Sequence, residues 1–282
     1  MILKSNKLCP SACNCFMTRA KIYTLLLDMN KAEHKIPCIF NWSGGKDSAL
    51  ALYHCLKNSK LEIRYLVTTV NNSANRVSMH GVREELLISQ AASIGIPLYQ
   101  IRLPEMPGMK EYDDAMGRHL QKFKDEGITH SIFGDIFLED LRKYREDRLA
   151  EAGLKAIFPL WKRDTTELIN EFLDLGFRTM IVCTQHHLED LTGKEITKEL
   201  ISKFPDDIDV CGENGEFHTF VFDGPIFNDP VGFDVGEKVF KEFKAPKNAD
   251  DSCITNSSVS EEKSGFWYTD LVPRKLEAAI SA

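Results

Sequence analysis

Asn41-Trp42-Ser43-Gly44-Gly45-Lys46-Asp47-Ser48 lies between an apolar run, Ile36 to Phe40, and an amphipathic run, Ser48 to Leu56. Strand, glycine turn, helix: this order builds a phosphate cradle. Two adjacent glycines let the backbone turn tightly and approach an anion, because no Cβ obstructs either step. The free N–H groups that open the following helix then face that anion, and the helix dipole favours negative charge there. Lys46 adds a mobile cation, and Ser43 and Ser48 add hydroxyl donors. The spacing is not that of a Walker A loop, which needs G-x-x-x-x-G-K-S/T. A Gly-Gly turn can also be punctuation between strand and helix. Six specific residues at the junction favour the cradle.

The chain has 282 residues, 43% apolar and 27% charged, the proportions of an ordinary soluble globule able to bury a substantial core. The net charge of −7 and pI near 5.7 argue against a broad nucleic-acid-binding face. No run of eighteen apolar residues occurs, so no membrane span is expected. The eight cysteines are scattered, and Cys38 and Cys55 fall in apolar segments, as reduced thiols of a cytoplasmic protein would. Cys9, Cys13 and Cys15 cluster without the second ligand pair that a zinc site wants.

Residues 1–35 read as an N-terminal extension, of which 1–28 are expected to be dispensable. From Ile36 the pattern alternates. Apolar strand-like runs at 36–42, 62–70, 98–103, 129–133 and 178–183 are separated by helix-like segments at 46–58, 81–94, 110–126, 139–152 and 164–175. Gly95 and Gly127 suit helix C-terminal stops. The alternation predicts an α/β fold, a mainly parallel sheet with helices on both faces, over 36–184. Sites in such sheets sit at the carboxyl ends of the strands, where the cradle lies. A smaller lobe of short strands and loops is expected over 185–243. Residues 244–282 read as a mobile polar loop, 244–264, followed by a final strand at Phe266-Trp267-Tyr268.

Three further constellations carry possible chemistry. Gly134-Asp135 ends the strand Ser131 to Phe133, so Asp135 faces the same cleft as the cradle and suits Mg²⁺. Arg142, on the helix that follows, could reach a phosphate or carboxylate bidentately, although a salt-bridged solvent face is the commoner fate of such charges. Gly212-Glu213-Asn214-Gly215-Glu216-Phe217-His218-Thr219 places two carboxylates around a flexible Asn-Gly pair directly before a strand. Such a loop either presents Glu213 and Glu216 to an amine or metal, with His218 as acid or base, or is a hairpin turn with exposed acids. Ser78-Met79-His80-Gly81-Val82-Arg83 reads as a helix entry, and Asp164 after Phe158-Pro159-Leu160-Trp161 as a helix cap.

Ser43 to Ser48 resembles the pyrophosphate loop of the ATP pyrophosphatases, which split ATP between its α- and β-phosphates. The succession of that loop, Gly134-Asp135 with Arg142 and Glu146, Pro159-Leu160-Trp161, Glu213-Asn214-Gly215-Glu216 and Asp223-Gly224-Pro225 resembles the diphthine–ammonia ligase (diphthamide synthase) family from about Ile36 to Phe243. The resemblance implies an adenine nucleotide alpha hydrolase-like, Rossmann-like sheet domain with a smaller C-terminal substrate lobe. It implies that Ser43, Gly44, Gly45, Lys46, Asp47 and Ser48 bind the ATP phosphates, that Thr68, Thr69 and Val70 lie beside the adenine, and that Gly134 and Asp135 lie near the nucleotide. Lys46, Asp135 and Glu216 would be catalytic and Asp135 would hold Mg²⁺. Glu213, Asn214, Gly215, Glu216, His218 and Arg142 would face the acceptor. In the family the acceptor is diphthine, a modified histidine of translation elongation factor 2, whose carboxylate is adenylated and then attacked by ammonia. The family typically reads Glu-Gly-Gly-Glu-Tyr-Glu-Thr where this sequence has His218 in place of the third glutamate. The expectation is therefore a cytoplasmic, ATP-dependent amide ligase whose acceptor is either diphthine of elongation factor 2 or an unknown small acid, with a homodimer as the candidate oligomer. A tRNA-modifying enzyme with the same loop is the first alternative; the net charge and the lack of a Cys-x-x-Cys pair in the middle of the sequence weigh against it. A non-catalytic adenine-nucleotide-binding protein is the second, and the intact loop weighs against that.

Overall fold

The computed structural model describes residues 35–72, 76–77, 81–104, 108–242 and 265–274. The expectations for the N-terminal extension and its cysteine cluster, for Ser78 to His80 and for the 244–264 loop lie outside the described residues.

The first sheet grows outward from β1 (Ile36–Asn41). On one side β1 pairs with β2 (Leu61–Asn71), and β2 with β4 (Leu98–Leu103); on the other it pairs with β5 (His130–Ile132), and β5 with β6 (Lys155–Ile157). All four pairings are parallel. A short β3 (Arg76–Val77) runs antiparallel to the end of β2. The polypeptide thus builds away from β1 in one direction, then returns to build in the other. That reversal opens a crevice beside the carboxyl ends of β1 and β5.

The crossover helices are α1 (Lys46–Lys57), α2 (Glu84–Ile94), α3 (Met109–Asp125) and α4 (Glu139–Ala152). Each starts and stops within three residues of its sequence expectation, with Gly95 and Gly127 at or just past the ends of α2 and α3. α5 (Thr165–Asp174) is capped as expected: the Asp164 carboxylate accepts from Glu167 N–H at 2.9 Å.

The run at 178–183, expected in the parallel sheet, instead forms β7 (Arg178–Gln185) of a second, antiparallel sheet. Its neighbours are β8 (Phe217–Asp223) and β10 (Gly265–Pro273), and β9 (Phe233–Glu242) pairs with the far side of β10. An apolar run reports that a strand is buried; it does not report its partner. β6 has three residues, too few to register as a period, and β9 is mostly exposed and charged, so neither stands out in the sequence.

One apolar cluster spans both sheets. It joins Phe40 and Trp42, Leu50 and Leu52 of α1, Leu86 and Leu87 of α2, Phe172 of α5, and Ile181, Val182, Phe220 and Val221 of the second sheet. A second cluster, including Ile39, Val67, Ile101, Phe123 and Leu149, lies between the first sheet and helices α3 and α4. Cys38, Cys55, Cys183 and Cys211 are free and buried. Burial pushes the Cys38 thiol up to about 11 and those of Cys55 and Cys183 up to about 12.

Candidate active site

The Ser43–Ser48 loop joins β1 to α1 at the crevice. Gly44 has φ +80°, and a Cβ on it would meet Gln90 Oε1 at 2.8 Å, so this position needs glycine on both counts. The Gly44 carbonyl is held from behind. Val221 N–H donates to it at 2.8 Å and Gln90 Nε2 at 3.1 Å. The N–H of the same peptide, on Gly45, points the opposite way and donates to Ser43 Oγ at 3.3 Å. Ser43 Oγ donates to Ser48 Oγ at 3.0 Å, and Ser48 Oγ to Gly45 O at 2.9 Å. Lys46 N–H donates to Thr219 Oγ1 of β8 at 3.0 Å, which ties the start of α1 to the second sheet.

The loop borders a cavity of about 680 Å³. Ser43, Asp47, Ser48, Thr68, Thr69, Gly134, Asp135, Glu213 and His218 all line it, so most of the residues singled out in the sequence meet in one place. Its floor is apolar, with Ile39, Val67, Ile101, Leu120 and Phe123, and Tyr112, Tyr144, Arg145 and Arg148 complete the wall. Gly134 permits a close approach to the loop: a Cβ there would lie 3.0 Å from Ser48 N and 3.1 Å from the Asp47 carbonyl carbon.

Asp135 follows β5 and its side chain is 16% exposed. Its Oδ2 sits 3.2 Å from Arg145 Nε yet accepts no hydrogen bond. Burial raises this carboxyl above the usual range; Arg145 works against that shift and Asp47 adds to it. Burial pushes Glu213 up to about 8, with Asp47 reinforcing and Lys46 opposing. Burial pulls His218 down to about 4, with Lys46 reinforcing. At neutral pH the cavity therefore presents a neutral imidazole, and Glu213 holds its proton well above the ordinary carboxylate range. Asp135, with its orphaned oxygen near Asp47, has the donor chemistry of a Mg²⁺ site, in which one or two carboxylates are completed by phosphate oxygens and water. Among the described residues no group of three His, Cys, Asp or Glu forms an all-protein metal cage.

Several expected residues lie elsewhere. Lys46 is not a free cation at the cavity. Its ammonium reaches both Asp47 oxygens at 2.7 Å and stands 5.7 Å from the Phe217 ring centre. Burial disfavours that charge, but Asp47 together with Cys211 and Glu213 outweighs it and the pKa rises. Glu216 is buried and occupied within its own loop: Oε1 accepts from Asp209 N–H at 3.0 Å and Asn214 Nδ2 at 3.1 Å, and Oε2 from Asn214 N–H at 2.9 Å. Three donors leave it a loop organiser, and Asn214 and Gly215 share that turn away from the cavity wall. Arg142 packs 4.6 Å from the Trp161 ring centre and 5.1 Å from that of Phe158, and bonds Glu146 at 2.8 Å, so it braces α4 against the 158–161 loop. Val70 is buried behind the wall that Thr68 and Thr69 form.

Gln90 serves the site without belonging to any of the sequence constellations, whereas Thr219 closes the Gly212–Thr219 stretch and Arg145 and Arg148 stand among the α4 charges that follow Asp135. Gln90 has a signal of its own: it is a lone amide on the buried face of α2, beside Leu86, Leu87 and Ala91. Arg145 and Arg148 are masked by the charge mixture of α4.

Comparison with known proteins adds to this geometry. The family model described as the diphthamide synthase N-terminal domain matches residues 37–156. The diphthamide synthase C-terminal domain model matches residues 164–247. The diphthine–ammonia ligase of Danio rerio is 24% identical over 221 residues, covering 70% of this sequence and 86% of the relative. That of Homo sapiens is 23% identical over 228 residues, covering 70% and 82%. Among solved structures, the U34-tRNA thiolase of Methanococcus maripaludis with its 4Fe–4S cluster matches with a TM-score of 0.33 and 19% identity, over 52% of this protein and 59% of that one. The two domain models follow one another in order and together take in the phosphate loop, Asp135, Glu213 and His218: the chain belongs to the diphthamide synthase family.

Proposed function

We propose that this protein is an ATP-dependent, AMP-forming amide ligase that adenylates a carboxylic acid and passes the acyl group to ammonia. One observation carries the reading. The phosphate loop, the Asp135 carboxylate, whose Oδ2 accepts no hydrogen bond beside Arg145, and the uncharged His218 open onto a single cavity with an apolar floor. Ser43 to Ser48 take the phosphates through backbone N–H groups and the two hydroxyls. Thr68 and Thr69, with the apolar floor, take the adenine side. The acceptor carboxylate attacks the α-phosphorus, the bond to the bridging oxygen breaks, and pyrophosphate leaves. Ammonia then attacks the acyl carbon, AMP leaves, and the nitrogen loses a proton. Asp135, with Asp47, would hold Mg²⁺, which when bound neutralises charge developing on the phosphate oxygens.

Lys46 acts from beneath the loop, as a fixed positive charge that keeps Asp47 in place. Glu213 and His218 face the reacting end. A neutral His218 can accept a hydrogen bond from the incoming nitrogen, whose proton then passes to solvent, and Glu213 lines the same cavity. Glu216 holds the loop that presents Glu213. The family pattern has a glutamate where His218 stands, and a neutral imidazole offers no charge to a cationic acceptor. We therefore assign a small acid, rather than diphthine, as the substrate.

ATP–pyrophosphate exchange across a panel of carboxylic acids, with diphthine-bearing elongation factor 2 included, tests this. Exchange with a small acid and not with the factor is the expected result. Exchange with the factor alone would return the protein to the diphthine reaction. Tight ATP binding without exchange across the panel would favour a nucleotide-binding protein without turnover.

A further inference from the structure

Gln90 is fully buried and borders no part of the cavity, yet three of its hydrogen bonds converge on the phosphate loop and the strand behind it. Its Oε1 accepts from Trp42 Nε1 at 2.9 Å. Its Nε2 donates to Gly44 O at 3.1 Å and to Val221 O at 2.5 Å. The indole N–H can only donate and the two carbonyls can only accept, so the orientation of the amide is fixed by its partners. One side chain thereby joins the end of β1, α2 and β8 at the turn of the cradle.

The turn needs such a clamp. Gly44 and Gly45 share a peptide that can rotate cheaply, since neither residue carries a Cβ. In the observed orientation the Gly44 carbonyl faces Gln90 and Val221, and the Gly45 N–H faces Ser43. Rotated by half a turn, the same peptide would turn its carbonyl oxygen toward Ser43 and break the Gly45 N–H bond that holds the Ser43 hydroxyl at the cavity wall. We propose that Gln90 is a positioning residue for nucleotide binding, pinning the Gly44 carbonyl on the far side of the loop so that the Gly45 N–H keeps the Ser43 hydroxyl in place at the cavity. This rests on the nucleotide reading of the cavity. Gln90 touches no ligand and acts through the loop.

The test is direct ATP binding to the full-length protein by calorimetry, together with amide hydrogen exchange over the loop. Gln90→Met keeps the volume and removes the donors. Ser93→Ala is the matched control: Ser93 lies on the next turn of α2 and its hydroxyl donates to Asp229 O at 2.5 Å, remote from the loop. Both variants should melt earlier than the wild type. Gln90→Met should weaken ATP binding at least tenfold and speed exchange at residues 44–48, whereas Ser93→Ala should stay within twofold. Equal losses in the two variants, or wild-type affinity in Gln90→Met, would overturn the proposal. Should Gln90→Met fail to fold, Gln90→Asn keeps the amide but is one methylene too short to reach both carbonyls, and the same tenfold loss is expected. A wild-type protein that binds no ATP would instead overturn the nucleotide reading beneath it.

Discussion

Glu213 and Glu216 stand three residues apart in one loop and do different work. Glu213 lines the cavity; Glu216 accepts three hydrogen bonds from its own turn. Spacing brings both carboxylates to the site but does not tell which one the turn consumes, because that depends on Asp209 and Asn214 donating inward. The ionisation of Glu213 is open to measurement. Between the ordinary carboxylate value of 4.5 and its folded value of about 8, the folded protein holds a proton that the unfolded state has released. Its contribution therefore lowers stability as pH rises through that window. His218 runs the other way between about 4 and 6.5, where the unfolded state holds the extra proton and stability rises with pH. The two trends offset each other up to pH 6.5, and above it Glu213 prevails. Without nucleotide, stability from urea titrations should fall between pH 6.5 and 8 by up to about 1.4 kcal/mol per pH unit, one proton's worth. Glu213→Gln should flatten the slope; an unchanged slope would count against a protonated Glu213. Lys46→Ala removes the charge beneath the loop and leaves Asp47 unpaired beside Asp135 and Glu213. Acceptor-dependent ATP turnover should drop by about 10²-fold, the scale of losing one preorganised electrostatic contact, here exerted through Asp47, and wild-type turnover would remove Lys46 from the machinery.

Helices and strands are the most legible level, because each announces itself through a local period. The crossover helices fall within three residues of their expected ends, and the five expected strands all exist. What the period does not show is pairing. The sequence predicts only a three-residue strand at Phe266-Trp267-Tyr268, yet β10 runs from Gly265 to Pro273 and carries Asp270, whose role has no local signature. The Asp270 carboxylate accepts from Arg76 Nη1 at 2.9 Å and from Arg83 Nε and Nη2 at 3.1 and 2.6 Å. Arg83, which opens α2, thus reaches a strand 187 residues away rather than a ligand. These charge-assisted bonds fasten β10 to the edge of the first sheet and to the start of α2. Asp270→Ala should cost about 2–3 kcal/mol in chemical denaturation. A loss below about 0.5 kcal/mol would mean that the clasp is a solvent-screened pair of little consequence.

At the scale of the molecule, the two sheets are held by a shared apolar cluster. Phe40 and Leu50 from the first sheet and its helix belong to the same cluster as Phe220 and Val221 of the second. The loop is stitched to β8 through Thr219 and Val221 as well. Without the second sheet the first keeps its cluster against α3 and α4 but loses the shared one. Heating should therefore give a single transition whose calorimetric and van't Hoff enthalpies agree. Two resolved transitions would show that the sheets melt independently. The sequence texture changes near residue 184, which suggests a boundary there; the shared cluster is invisible to texture, because its contacts join residues far apart in the sequence.

The buried thiols give this architecture its own stopwatch. An alkylating reagent needs both access and a thiolate, and Cys38, Cys55, Cys183 and Cys211 offer neither while the fold is closed. Each must wait for its neighbourhood to open before it is tagged. Cys38 and Cys55 would time the first sheet and α1, and Cys183 the second sheet. Cys211 shares a small recess with Lys46 and Asp47 under the phosphate loop, so its tagging would time the opening of the loop's underside. Peptide mapping after brief exposure to iodoacetamide would then read the order in which the molecule comes apart, with no label introduced beforehand and no residue changed.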